Sequence, residues 1–168
     1  EDRASSGLAL SLSVRENMTL PLWARWGDSL GRLWLNKQRE RKLTDQYAKE
    51  LGVRAHDLGD PVRYLSGGNQ QKVIIAKWLM ARCRILILDE PTLGIDIGAK
   101  DEIHRLIINF ARDGGAVLVI SSDLPEVLKV SDRMLVMAEG QLQGVLDREE
   151  ATQERIMLHA VAAASHVE

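Results

Sequence analysis

Two short stretches of the chain hold the residue types that work on a bound phosphate. The first, Leu65 to Lys72, reads LSGGNQQK and puts two adjacent glycines where an apolar-periodic helix begins. Glycine inside a helix costs about 1 kcal/mol relative to alanine, so its presence there has two explanations. It ends a loop and lets the backbone turn, or it leaves bare backbone N–H groups at a helix start so that a phosphate can approach closely. The second stretch, Ile85 to Glu90, reads ILILDE and ends a continuous apolar run with two carboxylates. Ligands bind at the C-terminal ends of strands in open parallel sheets, and neighbouring residues on a strand point in different directions. Asp89 and Glu90 can therefore serve different tasks: one carboxylate can hold a magnesium ion, usually through water, while the other orients or deprotonates an attacking water.

These residues need helices and a sheet to carry them. From Ser13 to Gly52 the pattern is helical, with a second, more charged helix from about Asn36 to Leu51. Its basic stretch, Lys37 to Lys42, is broken by Glu40 and reads as a solvated face. A helix from about Asn69 to Ala81 follows, and then Ile85 to Leu88, a run expected to be a strand buried on both faces. The spacing predicts a helix from Gly98 to Arg112 ending at Gly114 and Gly115, and Ala116 to Ile120 as a second buried strand. Strand, helix, strand in that order makes a parallel crossover unit. A short helix over Pro125 to Val130, a hairpin of Arg133 to Ala138 with Gln141 to Leu146, and a weak alanine-rich helix from Glu149 to Ala164 complete the chain. The fold class is α/β: part of a parallel sheet of the phosphate-loop type with flanking helices, plus a small helical subdomain. That division runs 1–64, 65–148 and 149–168.

Composition narrows the partners. The chain has 168 residues, 45% hydrophobic and 27% charged, which suits one globular domain with a real core. Its formal charge of -2 supplies no global field toward nucleic acid or an anionic membrane, so phosphate binding must be local. The lone Cys83 reads as a buried thiol in a reducing compartment. No apolar run reaches the roughly 18 residues that span a bilayer.

LSGGNQQK followed by ILILDEPTLGID resembles the signature motif, Walker B strand and D-loop of an ATP-binding cassette ATPase. The segments SVRENM, LSGGNQQKVIIAKWL, DEPTLGIDIGAKDEI and ISSDLPEVLKVSDRMLVM narrow the resemblance to the second cassette of tandem ATPases. Those proteins energise importers of the ribose, galactose, xylose, arabinose and autoinducer-2 type. The resemblance runs from Glu1 to about Leu146, and the chain is expected to be the rear portion of such a cassette.

The resemblance implies roles residue by residue. Ser66, Gly67, Gly68 and Gln70 would be the signature contacts to the γ-phosphate of ATP bound on the opposite cassette. Asp89 would be the Mg2+-linked Walker B acid, Glu90 the water-orienting base, and Asp96 the D-loop residue that crosses the dimer interface. Gly68 would face that phosphate, so an aspartate there would meet it with a like charge. Glu1, Asp2 and Arg3 fall near the segment that takes the place of the Q-loop. Implied partners are the upstream cassette of the same polypeptide, transmembrane permease subunits and, indirectly, a periplasmic or extracellular solute-binding protein. A short helix of the permease would dock on the helical lobe, near Trp23, Trp26 and Trp34. The implied location is peripheral, on the cytoplasmic face of the inner membrane.

Three departures qualify these roles. No G-x-x-x-x-G-K-[ST] stretch occurs in the chain, so the loop that cradles the domain's own nucleotide is not among these residues, and the chain alone is expected to hydrolyse nothing. Ser122 stands where an active cassette has its switch histidine, and Leu93 stands where the resembling proteins carry arginine. Serine has no ring to bridge the γ-phosphate and the base, which implies an asymmetric pair of cassettes. The chain is thus either part of a transport ATPase or a non-catalytic module that completes its partner's site. A cassette from DNA repair or chromosome organisation would place long coiled coils before the signature, but only 65 positions precede Ser66 and none shows sustained heptads.

Overall fold

A computed structural model describes residues 7–26 and 37–162, with side chains over that span except at 24–26 and 162. Helix α1 (Val14–Trp26) begins with a reciprocal cap. The Ser13 hydroxyl oxygen accepts from the Glu16 N–H at 3.1 Å, and the Glu16 carboxylate accepts from the Ser13 N–H at 2.8 Å. The Ser13 hydroxyl also donates to the Glu16 carboxylate at 2.7 Å, and this bond first, then the Ser13 N–H, holds the Glu16 carboxyl below its ordinary range. Asn17 is fully buried and ties the preceding segment down, accepting from the Ala9 N–H at 2.8 Å and donating to the Ser13 carbonyl at 2.9 Å.

Helix α2 (Lys37–Glu50) keeps its basic residues in solvent, as its charge pattern predicts. It meets α1 through polar contacts: the Thr19 hydroxyl donates to Glu40 at 2.8 Å, and Arg15 pairs with Asp45 at 3.4 Å. A 3-10 turn at Val62–Tyr64 leads into helix α3 (Gly67–Met80). Val73, Ala76 and Met80 of α3 bury against Val14, Met18 and Leu22 of α1, forming the apolar core of this part of the chain. Trp23 on α1 is half-buried, and its indole N–H is buried without a partner among the described residues. The side chain of Trp26, Trp34, and Glu1 to Arg3 lie outside the described residues.

Strand β1 (Ile85–Asp89), helix α4 (Ile97–Arg112) and strand β2 (Ala116–Ile120) form the expected crossover unit. The strands run parallel, with the Ala116 N–H bonded to the Arg84 carbonyl at one end and the Glu90 N–H to the Ile120 carbonyl at the other. Burial differs from expectation. Leu86 and Leu88 are buried, but Ile85 and Ile87 are 65% and 67% exposed, and Leu118 and Ile120 on β2 are exposed beside them. A two-stranded sheet covered on one side buries alternate residues, and no layer among the described residues covers the other side.

Helix α5 (Leu124–Val130) is capped by Asp123 and carries Pro125 in its first turn. Strands β3 (Arg133–Ala138) and β4 (Gln141–Asp147) make an antiparallel hairpin with a bulge between Val136 and Met137. Helix α6 (Gln153–Ala162) closes one face of it, Ile156 packing with Met134, Val136 and Leu146. The chain divides into two compact units, residues 1–86 with 91–118, and residues 87–90 with 119–168.

Candidate functional site

In the first unit, the start of α3 carries unpaired donors. The first N–H groups of any helix lack intrahelical partners, and the Ser66 side chain, at the N-cap, makes no capping bond to them. Instead its oxygen accepts from the Asn69 amide at 2.9 Å. A hydroxyl that accepts one bond still has its proton to donate, so Ser66 presents an O–H beside bare backbone N–H groups. That combination, at the positive end of a helix dipole, suits a phosphate oxygen.

The two glycines have different jobs. Gly67 is exposed, and a Cβ built there would meet nothing closer than the Gly94 carbonyl at 3.9 Å. Gly68 is buried, and its Cβ would lie 2.6 Å from the Ala99 Cβ and 3.4 Å from Ile95. A side chain at Gly68 would therefore run into α4 rather than toward a phosphate, so the crossing of α3 and α4 requires glycine there, while the residue itself still lines the cavity between the two helix starts. Open space lies at Gly67. Gln70 donates to the Val62 carbonyl at 3.3 Å, behind the signature, and does not line the cavity.

Asp96 caps α4, accepting from the Ala99 N–H at 3.0 Å, so the turn before α4 and the start of α3 meet at the same crossing. The turn before it uses Gly94 at φ +64°, where residues with a side chain are strained. A cavity of about 300 Å³ opens between the two helix starts, lined by Ser66, Gly68, Asn69, Asp96, Gly98 and Ala99 with Arg54, Lys72 and Glu102. The Lys72 side chain is 4% exposed; its ammonium donates to Glu102 and, at 2.8 Å, to the Gly52 carbonyl at the end of α2. Bonding to Lys72, before all other causes, holds the Glu102 carboxyl below its ordinary range. Asn69 and Lys72 belong to the motif itself, but Arg54 and Glu102 were not legible as cavity residues, because the contacts that bring them to Asn69 and Lys72 cross between elements distant in sequence.

In the second unit Asp89 is exposed at the end of β1, and Glu90 follows with φ 46°. A left-handed backbone at a residue with a side chain costs roughly 1–2 kcal/mol, a strain of the kind that accumulates at functional positions. It turns the Glu90 carboxylate to accept from the Ser122 N–H at 2.7 Å. The acid and the position of the expected switch residue are thus in contact, through the backbone of Ser122. Ser121 donates to the buried Glu126 at 2.6 Å and accepts from the Asp123 N–H at 3.0 Å, which stiffens the loop carrying Ser122. Among the described residues no cluster of three His, Cys, Asp or Glu side chains gathers to hold a metal. Magnesium needs only one or two carboxylates when phosphates complete its shell, so Asp89 fits that duty.

Residues 3–93 match the sequence pattern of the ABC transporter family. The chain is 51% identical over 162 residues to the ribose import ATP-binding protein RbsA of Clostridium tetani, covering 96% of the chain and 32% of that protein. It is 53% identical over 162 residues to ribose import ATP-binding protein RbsA 1 of Streptomyces avermitilis, covering 96% of the chain and 30% of that protein. The chain therefore spans about a third of the length of these curated relatives. Its fold is similar to that of a dimeric ATP-binding cassette solved in a post-hydrolysis state with ADP and Pi, at a TM-score of 0.71 and 24% identity, over 84% of this chain and 59% of that one.

Proposed function

The chain belongs to the ABC transporter family, whose cassettes bind and hydrolyse ATP, and from that premise we propose that it supplies the signature half of an ATP site in a sugar importer. The phosphate loop and the nucleotide come from the upstream cassette of the same polypeptide, and the solute is a monosaccharide or a similar small polar molecule. The identity with ribose import proteins supports the solute class. The observation that carries the reading is the start of α3, where the Ser66 hydroxyl and uncapped N–H groups stand at an open cavity shared with Asp96.

In this reading Ser66 donates to the γ-phosphate, Gly67 leaves room for its oxygens, and Gly68 locks the signature to the D-loop. Gln70 acts behind them by fixing α3 to the preceding turn. Asp89 holds the Mg2+ that accompanies a nucleotide, and Glu90 is the water-orienting base of the chain's own site. With serine at 122 that second site is degenerate, so the chain serves mainly to complete its partner's. No described helix is long and apolar enough to cross a membrane; permease subunits supply the pathway, and the helical unit docks on them at the cytoplasmic face. A solute-binding protein acts only through the permease.

The test is Gly67→Asp in the full polypeptide. Space exists for the side chain, so the substitution acts by charge. At an effective dielectric near 20, two like charges about 4 Å apart repel by roughly 4 kcal/mol, enough to prevent closure around ATP. Phosphate release should be lost while ATP still binds the upstream cassette. Wild-type turnover would sink the proposal.

A further inference from the structure

We propose that Arg54 is a phosphate ligand of the signature site, binding in the closed state the same terminal phosphate that the start of α3 receives. This rests on the reading above that a nucleotide phosphate enters the cavity at Ser66.

The backbone of Arg54 is fixed to the signature. Its N–H donates to the Asn69 carbonyl oxygen at 2.8 Å, and the amide nitrogen of the same Asn69 donates to the Ser66 hydroxyl at 2.9 Å. One side chain therefore links Arg54 to the serine at the mouth of the cavity. The guanidinium is otherwise placed: its side chain is 82% exposed, it lines the cavity, and its contact is with Glu102 at 3.5 Å. That contact is long and wet, and pairs of this kind contribute little. Glu102 meanwhile gives its other oxygen to the buried ammonium of Lys72. The Lys72 and Glu102 charges cancel, so Arg54 can leave Glu102 without stranding a carboxylate.

Charge around the cavity needs that cation. With Lys72 and Glu102 balanced, the charged groups left among the lining residues are Asp96 and Arg54, Arg105 acting on Glu102 from outside that lining. Asp96 brings its carboxylate to the start of α4, where it accepts from the Ala99 N–H. Without Arg54 the lining would keep only the unbalanced Asp96 carboxylate, which disfavours a phosphate. With Arg54 the lining charges balance, and the donors of α3 add a preference for an anion. A planar guanidinium with two parallel N–H groups also matches two phosphate oxygens at once.

The experiment is steady-state phosphate release by the full polypeptide across ATP concentrations, for wild type, Arg54→Gln, Arg54→Lys and Ser66→Ala, with thermal unfolding of each. Arg54→Gln should lower kcat/KM by roughly 10- to 100-fold, the loss expected for charge-assisted hydrogen bonds, at an unchanged unfolding midpoint. Arg54→Lys should recover part of it. The inference is overturned if Arg54→Gln turns over like wild type while Ser66→Ala is impaired. It is equally overturned if Arg54→Lys is as impaired as Arg54→Gln and both unfold earlier, which would make Arg54 structural. Wild-type turnover by Ser66→Ala would instead overturn the underlying reading, whatever Arg54→Gln does.

Discussion

Gly68→Ala adds one carbon to α3 where it crosses the start of α4. The new Cβ would sit 2.6 Å from the Ala99 Cβ, whereas carbon atoms rest at about 3.5–4.0 Å, so the helices must separate by roughly 1 Å. Overpacking of this kind costs about 1–3 kcal/mol. Exchanging glycine for alanine in a helix returns about 1 kcal/mol, and the net loss should be up to about 2 kcal/mol. Ala99→Gly removes the opposing methyl and alone costs about 1 kcal/mol in helix propensity. If the contact is what Gly68 serves, the double variant should be more stable than the sum of the two losses by at least about 1 kcal/mol. Independent sites add to within about 0.5 kcal/mol. Urea unfolding of the four proteins closes the cycle, and Gly67→Ala, which meets only a carbonyl at 3.9 Å, should lose nothing. Additive single effects, or Gly67→Ala as damaging as Gly68→Ala, would refute the packing role.

Two further outcomes follow from the charged and switch positions. Glu102→Gln leaves the buried Lys72 ammonium without its counter-ion and should cost about 3 kcal/mol at neutral pH, the low end for breaking a buried pair, because Glu102 is partly exposed. Since the folded-state pKa of Glu102 is lowered, its contribution is present above the ordinary carboxylate range and fades as pH falls through the lowered value. The gap between wild type and Glu102→Gln in unfolding midpoint should therefore shrink on acidification, and a gap constant down to pH about 2 would contradict the pairing. Ser122→His should leave ATP turnover of the full polypeptide nearly unchanged, because the Ser122 contact to Glu90 is made by the backbone N–H. A large rise would mean that the site lacked only its ring.

The elements were largely legible because their signals are local. Ala116 to Ile120 is a strand as its apolar run predicts, and the helix expected over Gly98 to Arg112 is found at Ile97–Arg112. The acids at the end of β1 were legible too, since a strand end fixes where its last side chains lie. The orientation of Gly68 was not legible: LSGG marks a helix start, but which glycine meets α4 depends on the crossing of two helices. The ion pairs of the cavity were hidden for the same reason, Lys72 lying 30 residues and Arg54 48 residues from Glu102. Apolar runs at 85–88 and 116–120 predict burial on both faces, but burial depends on what covers the sheet, and Ile85 and Ile87 are exposed.

Phosphate release by the full polypeptide carrying Glu90→Gln, set beside Ser66→Ala, tests most directly whether this chain completes its partner's site rather than running its own. Loss of a working general base costs about 10²–10⁴ in rate. Because Glu90 contacts Ser122 where a switch histidine is expected, Glu90→Gln should retain most of the turnover while Ser66→Ala loses most of it. Glu90→Gln as inactive as Ser66→Ala would show that this chain carries out hydrolysis at its own site, and the proposed division of labour would be wrong.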